Sequence, residues 1–103
     1  MQEQLDQINA LHLWDFEVAK NADGVVLILG SNDFTYYHYL EAEFRGVAFC
    51  DLPARFAHAE FRLGKDGVVW VKAEPVLDAA EREYEIQASE LEVRIGKVFY
   101  YRR

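Results

Sequence analysis

One cysteine, two prolines and no long apolar run set the first limits on this chain of 103 residues. With Cys50 alone no internal disulfide can form, and a reducing, cytoplasmic setting is the expectation. The longest uninterrupted apolar stretch, Val25 to Leu29, falls far short of the roughly 20 residues of a membrane-spanning helix. The opening MQEQLDQINA lacks the basic and apolar regions of an export signal. Basic residues are scarce as well, 11 Lys and Arg against 18 Asp and Glu, for a formal charge of -7. A chain so charged repels a phosphate backbone, so nucleic acid is not an expected partner, and neither is a membrane.

What is present is ample material for a core. Hydrophobic residues make up 51% of the sequence and aromatics 15%, and a chain of this length buries about two-thirds of its extended surface on folding. A single domain over 1-103 is expected, because no linker, internal repeat or low-complexity stretch divides it. The acidic excess is concentrated between Glu74 and Glu92, where seven acids meet only Arg82.

Two-fold alternation dominates the pattern. Leu5, Ile8 and Leu11 suggest a short N-terminal helix over residues 2 to 10. From Leu11 to Lys20, Trp14, Phe16 and Val18 share one strand face. Asn21-Ala22-Asp23-Gly24 supplies hairpin turn chemistry into a central strand, Val25 to Leu29. Phe34, Tyr36, His38, Leu40, Ala42 and Phe44 alternate with Thr35, Tyr37, Tyr39, Glu41, Glu43 and Arg45, which predicts a strand with the first set inward. Gly46 reads as a bulge or bend. Ala57, Ala59, Phe61 and Leu63 form the next alternation, turned by Gly64-Lys65-Asp66-Gly67 into Val68 to Ala73. Leu77 to Glu83 is compatible with a short helix. Tyr84, Ile86 and Ala88, then Leu91, Val93 and Ile95, read as strands, with Gly96-Lys97 a turn into a last one. The expected fold is mainly β: seven or eight antiparallel strands in a sandwich or partly open barrel, with a short N-terminal helix and room for one more.

No catalytic or metal-binding spacing is visible. There is no zinc knuckle, His-x-x-x-His helix, phosphate-cradling glycine loop or nucleophile elbow, so no metal, cofactor or catalytic residue is assigned. His38, on an apolar strand face, reads first as a hydrogen-bonded boundary imidazole and second as a pocket base. Cys50 has no basic neighbour in sequence and reads as a small hydrophobe. Tyr37, Tyr39, Glu41 and Glu43 would stand in a row on the outer strand face, where tyrosines are favoured at interfaces, unless a second layer covers Tyr37 and Tyr39 and leaves only the two glutamates in solvent. With Tyr100 and Tyr101 at an expected edge strand, they are the candidate protein interface. Trp14, Tyr36, His38 and Trp70 are the candidates for lining an aromatic cavity.

LHLWDFEV, the NADG turn, VVLIL and EFRGVAF together resemble small β-rich bacterial domains that open with a Leu-His-Asp-type motif, a group of uncharacterised and immunity-protein-like families. In that pattern Asp closely follows His, whereas Leu13 and Trp14 here separate His12 from Asp15. The resemblance spans about the first half of the chain; it implies a β fold and a toxin-neutralising role, and transfers no catalytic residue. The functional expectation is therefore a noncatalytic protein-binding module, an acidic immunity-like inhibitor of a basic partner, that also forms a homodimer. The alternative is a small-molecule-binding protein or enzyme with an aromatic cavity between sheets.

Overall fold

The computed structural model describes residues 1–76 and 80–100. The three-residue spacing of Leu5 and Ile8 forms helix α1 (Gln2–Ala10), in which both are buried. Eight strands follow: β1 (Asp15–Ala22), β2 (Val25–Ser31), β3 (Tyr37–Arg45), β4 (Phe49–Cys50), β5 (Arg55–Leu63), β6 (Val68–Pro75), β7 (Arg82–Gln87) and β8 (Glu90–Phe99). All lie in one antiparallel sheet of order β4-β7-β6-β5-β1-β2-β3-β8 that is not closed into a barrel.

The hairpins follow from turn residues. Asp23 and Gly24 hold φ of 56° and 72° between the paired Ala22 and Val25, the left-handed pair that suits the twist of a two-residue hairpin. The β5–β6 connection is longer, residues 64–67 closed by Gly64 N–H donating to Val68 O at 2.7 Å, with Asp66 and Gly67 at φ of 58° and 74°. Cross-strand registers then stack the core in rows: Phe44 lies between Val26 and Leu91, and Ala42 between Ile28 and Val93. Phe16 stacks on Phe56 with centroids 5.3 Å apart and meets the edge of Phe61 at 5.8 Å.

The chain order and the strand order disagree in an informative way. β3 and β4 are joined through only Gly46 to Ala48, and β7 and β8 through Ala88 and Ser89, yet each pair sits at opposite ends of the strand order. The sheet must therefore curl until its two ends nearly meet at these connections. There, Ser89 N–H donates to Arg45 O (3.1 Å), Ala48 N–H to Gln87 O (2.8 Å) and Val47 N–H to Gly24 O (2.9 Å). Gly46, at φ 64°, passes so close to Ser89 that a Cβ on it would lie 2.0 Å from the hydroxyl.

Several local expectations are corrected. The first strand begins at Asp15, not Leu11, and Trp14 is 64% exposed, not packed with Phe16 and Val18. β3 begins at Tyr37: Tyr36 sits in the preceding turn at 64% exposure, while His38, Leu40, Ala42 and Phe44 are buried as the alternation demanded. Phe34 is half-buried and its turn is closed by Asp33, whose carbonyl accepts from Tyr36 and Tyr37 N–H. In β5 the inward residues are Phe56 and Phe61, because a bulge at His58 (φ 52°) inserts an extra residue and resets the parity of the Ala57, Ala59, Phe61 series. Gly96-Lys97 is no turn: β8 runs through it. Arg82 and Glu83 belong to β7, and the remainder of the suggested second helix falls partly on residues 77–79, outside those described.

Candidate interaction surface and clefts

The interface candidates are drawn together by β3 and β8. Arg94 on β8 is paired opposite Glu41 on β3; its Nε donates to Glu41 Oε1 at 2.8 Å and its Nη2 to Glu43 Oε1 at 3.0 Å, with Glu92 3.0 Å from Nη1. Arg45 reaches Glu43 at 3.3 Å, Glu90 at 3.7 Å, and Glu92 as well. The Arg94 guanidinium, and then the His38 imidazole, hold the Glu41 carboxyl below the ordinary carboxylate range. The expected row of acids is thus real, but its charges are met within the chain. Tyr37 and Tyr39 are half-exposed, Tyr37 5.9 Å from Phe99, with Lys97 Nζ 5.3 Å from the Tyr37 centroid.

His38 is buried and fully engaged. Its Nδ1 shares a hydrogen bond with Tyr100 Oη (2.9 Å) and its Nε2 with Glu41 Oε2 (2.7 Å), which is the boundary-imidazole arrangement. Burial raises the Tyr100 phenol above its ordinary pKa, reinforced by Glu17 and Glu41. Tyr100 N–H also donates to Tyr36 O at 2.9 Å, so Tyr36 belongs with this group. Tyr101 lies outside the described residues.

The four cavity candidates do not converge. Tyr36 and His38 sit by Tyr100, Trp70 covers Gly64, and Trp14 stands beside His58, ring centroids 5.5 Å apart. That last pair opens onto a cleft of about 380 Å³ lined by His12, Trp14, His58, Asn9 and Phe16, which the sequence reading missed because its histidines come from distant segments. Among the described residues, His12 and His58 are the two non-glycine, non-acidic residues held at positive φ, each at 52°, a conformation that costs energy and gathers at functional sites. His58 Nδ1 lies 3.4 Å from Glu74. The Cys50 thiol is half-buried, and burial raises its pKa above the ordinary thiol value. Among the described residues no cluster of three or more His, Cys, Asp or Glu is placed to hold a metal ion, and no helix is long and apolar enough to cross a membrane.

The acidic segment is dispersed by the fold. Glu74 meets His58, Glu81 meets Lys72 (3.6 Å), Glu83 meets Arg62 (2.6 Å), and Glu90 and Glu92 meet Arg45. Consecutive strands carry these residues to different neighbours, so the run in sequence becomes separate ion pairs in space.

The missed feature of most consequence is the composition of the edge. Among the described residues β8 pairs with β3 alone, and its second half carries Ile95, Val98 and Phe99 exposed at 45%, 44% and 52%, next to exposed Tyr100 and Tyr36. No family model, no curated protein and no solved structure matches the chain.

Proposed function

We propose that the chain is a noncatalytic protein-binding module that contacts its partner along the β8 edge. The observation that carries this reading is the coincidence, on one strand, of an unpaired hydrogen-bonding edge with three large exposed apolar side chains, Ile95, Val98 and Phe99. Open edges of this kind pair with other chains unless blunted, and strand addition uses main-chain hydrogen bonds for affinity and alternate side chains for specificity. The formal charge of -7 favours a basic partner by long-range steering, and the resemblance of the first half to immunity-like domains makes inhibition of such a partner the specific form of the proposal. Affinity capture with the wild-type chain and with Phe99→Pro tests it: Tyr100 N–H donates to Tyr36 O, so the alternate Phe99 N–H is the one that faces the free edge. A partner retained by wild type and released by the folded proline variant is the expected result; equal retention by both overturns the edge reading.

A second reading rests on the cleft. Two histidines in left-handed backbone conformation, with an exposed tryptophan over one of them, favour a small planar ligand that stacks on Trp14. Ligand binding there would change indole fluorescence in wild type and not in Trp14→Phe, which retains Trp70; identical responses from both would remove the cleft from consideration.

A further inference from the structure

Of the two ends of the sheet, only one is built to pair. At the first, β4 contributes two residues, and next to them Asp51 closes the free edge of β7: Glu85 N–H donates to Asp51 Oδ1 at 2.7 Å and Asp51 N–H to Glu85 O at 3.3 Å. At the second, β8 has no strand on its outer side among the described residues, and near its start Gln4 Nε2 of α1 donates to Leu91 O. We propose that, in the absence of the basic partner, this edge is closed by a second copy of the chain, joined β8 to β8, antiparallel, about a two-fold axis at Arg94. The proposal rests on the edge reading above and assigns its occupant and register.

The register follows from an irregularity in β8. His38 pairs with Val98 and Leu40 with Ile95, so Tyr39 alone faces both Gly96 and Lys97: β8 carries one extra residue there, with Gly96 at φ 150°. A bulge of this kind resets side-chain parity. Leu91, Val93 and Ile95 therefore share the face of Phe44, Ala42 and Leu40, and Val98 that of His38, while Glu90, Glu92 and Arg94 lie on the opposite face with Phe99.

Now let a second β8 run antiparallel on the free edge with Arg94 opposite Arg94. Val93 of one copy meets Ile95 of the other. Glu92 meets the Gly96-Lys97 bulge, Leu91 meets Val98, and Glu90 meets Phe99. Every apolar residue of the inward face meets an apolar residue. An unbulged strand in the same register would set Leu91 against Lys97 and Glu90 against Val98, mixing the faces; the extra residue is what makes β8 complementary to itself.

Charge agrees with this register. Lys97 has no carboxylate within ion-pair distance among the described residues and instead lies 5.3 Å and 5.9 Å from the Tyr37 and Phe99 centroids; in the dimer it gains Glu92 of the other copy, twice over by symmetry. The two arginines at the axis are the unfavourable element, and each already sits among Glu41, Glu43 and Glu92, which offsets their mutual repulsion. The exposed parts of Ile95 and Val98 are covered where the second copy pairs, which matches the more apolar centre of homodimer interfaces.

Cysteine placement tests the axis directly, because a residue on a two-fold faces its own copy. Directly opposed antiparallel residues have Cα atoms about 4.5 to 5.5 Å apart, within disulfide range. In a Cys50→Ala background, Arg94→Cys should form a reducible covalent dimer under mild oxidation, whereas Glu90→Cys, which faces Phe99 of the other copy, should not. Equal cross-linking by both, or by neither, overturns the register. Sedimentation equilibrium provides the non-covalent test: the wild type is a dimer at micromolar concentration, Lys97→Glu weakens it about tenfold, and Glu92→Lys together with Lys97→Glu recovers most of the loss. A wild type that sediments as a 12.0 kDa monomer at all concentrations overturns the dimer. If that monomer still releases a captured partner through Phe99→Pro, the edge reading stands and its occupant is another protein.

Discussion

Asn9, at the end of α1, pairs with Phe61 as a neighbouring strand would. Its Nδ2 donates to Phe61 O at 2.7 Å, and its Oδ1 accepts from Phe61 N–H at 2.8 Å. β1 pairs with β5 only through Asp15 to Glu17, so beyond that point β5 has an edge with no strand beside it. One side-chain amide has the donor and acceptor of a peptide group at the same spacing, and Gln2 Oε1 continues the role by accepting from Leu63 N–H at 3.3 Å. The helix thus both fills the curled sheet with Leu5 and Ile8 and closes the gap where its two halves part.

Asn9→Ala should lower stability by about 1 to 3 kcal/mol, because it leaves two partly buried backbone groups unsatisfied. Asn9→Asp retains the acceptor and loses the donor, and sets a carboxylate against Phe61 O. Urea unfolding midpoints should fall for both; an unchanged midpoint in Asn9→Ala would show that water replaces the amide without cost.

Leu40→Ala should cost about 2 to 5 kcal/mol through lost burial and a residual cavity. Leu40 is fully buried and packs against Gly30, where a Cβ would lie 3.1 Å from its side chain. Glu43→Ala, which removes half-exposed ion pairs to Arg45 and Arg94, should cost under about 1 kcal/mol. Equal losses would mean that the β3 register is wrong.

Gly46→Ala should destabilise the crossing of the sheet ends by about 1 to 3 kcal/mol, from positive φ together with the clash on Ser89. Combining it with Ser89→Ala removes the hydroxyl clash but retains the backbone cost. The double variant should therefore recover part of the loss, and full recovery would assign the whole effect to the side chain.

The Glu41 ion pairs should add an acid-sensitive component to stability. The carboxyl has a folded-state pKa below its ordinary value, first through Arg94 and then through His38. Its contribution is present above the unfolded carboxylate range and is lost as pH falls through the folded value. Arg94→Gln should therefore be less stable than wild type at pH 7, with the difference shrinking as unfolding is measured toward pH 3. A difference independent of pH would assign the loss to packing of the arginine stem.

The sequence by itself determined the elements that local chemistry dictates. Alternation of His38, Leu40, Ala42 and Phe44 set one face of β3, because period two in a strand is a property of the backbone; Asp23-Gly24 and Asp66-Gly67 set two hairpins, because few other residues accept positive φ at both turn positions. Seven or eight antiparallel strands with an N-terminal helix were legible for these reasons. Only the tertiary structure decided that β8 leaves β7 and joins β3, since nothing local to Ala88 and Ser89 encodes which edge the chain will meet. The bulges at His58 and Gly96-Lys97 were equally hidden: each is a mismatch between two strands and exists only once they pair, which is why Phe56 faces inward against its own series and Gly96 is not a turn. The candidate surface shares that origin. Tyr37, Glu41 and Glu43 were visible as a row, but their neutralisation by Arg94 and the exposure of Ile95, Val98 and Phe99 along an unpaired edge depend on residues some 50 positions away, brought together by the curl of a sheet whose ends nearly close.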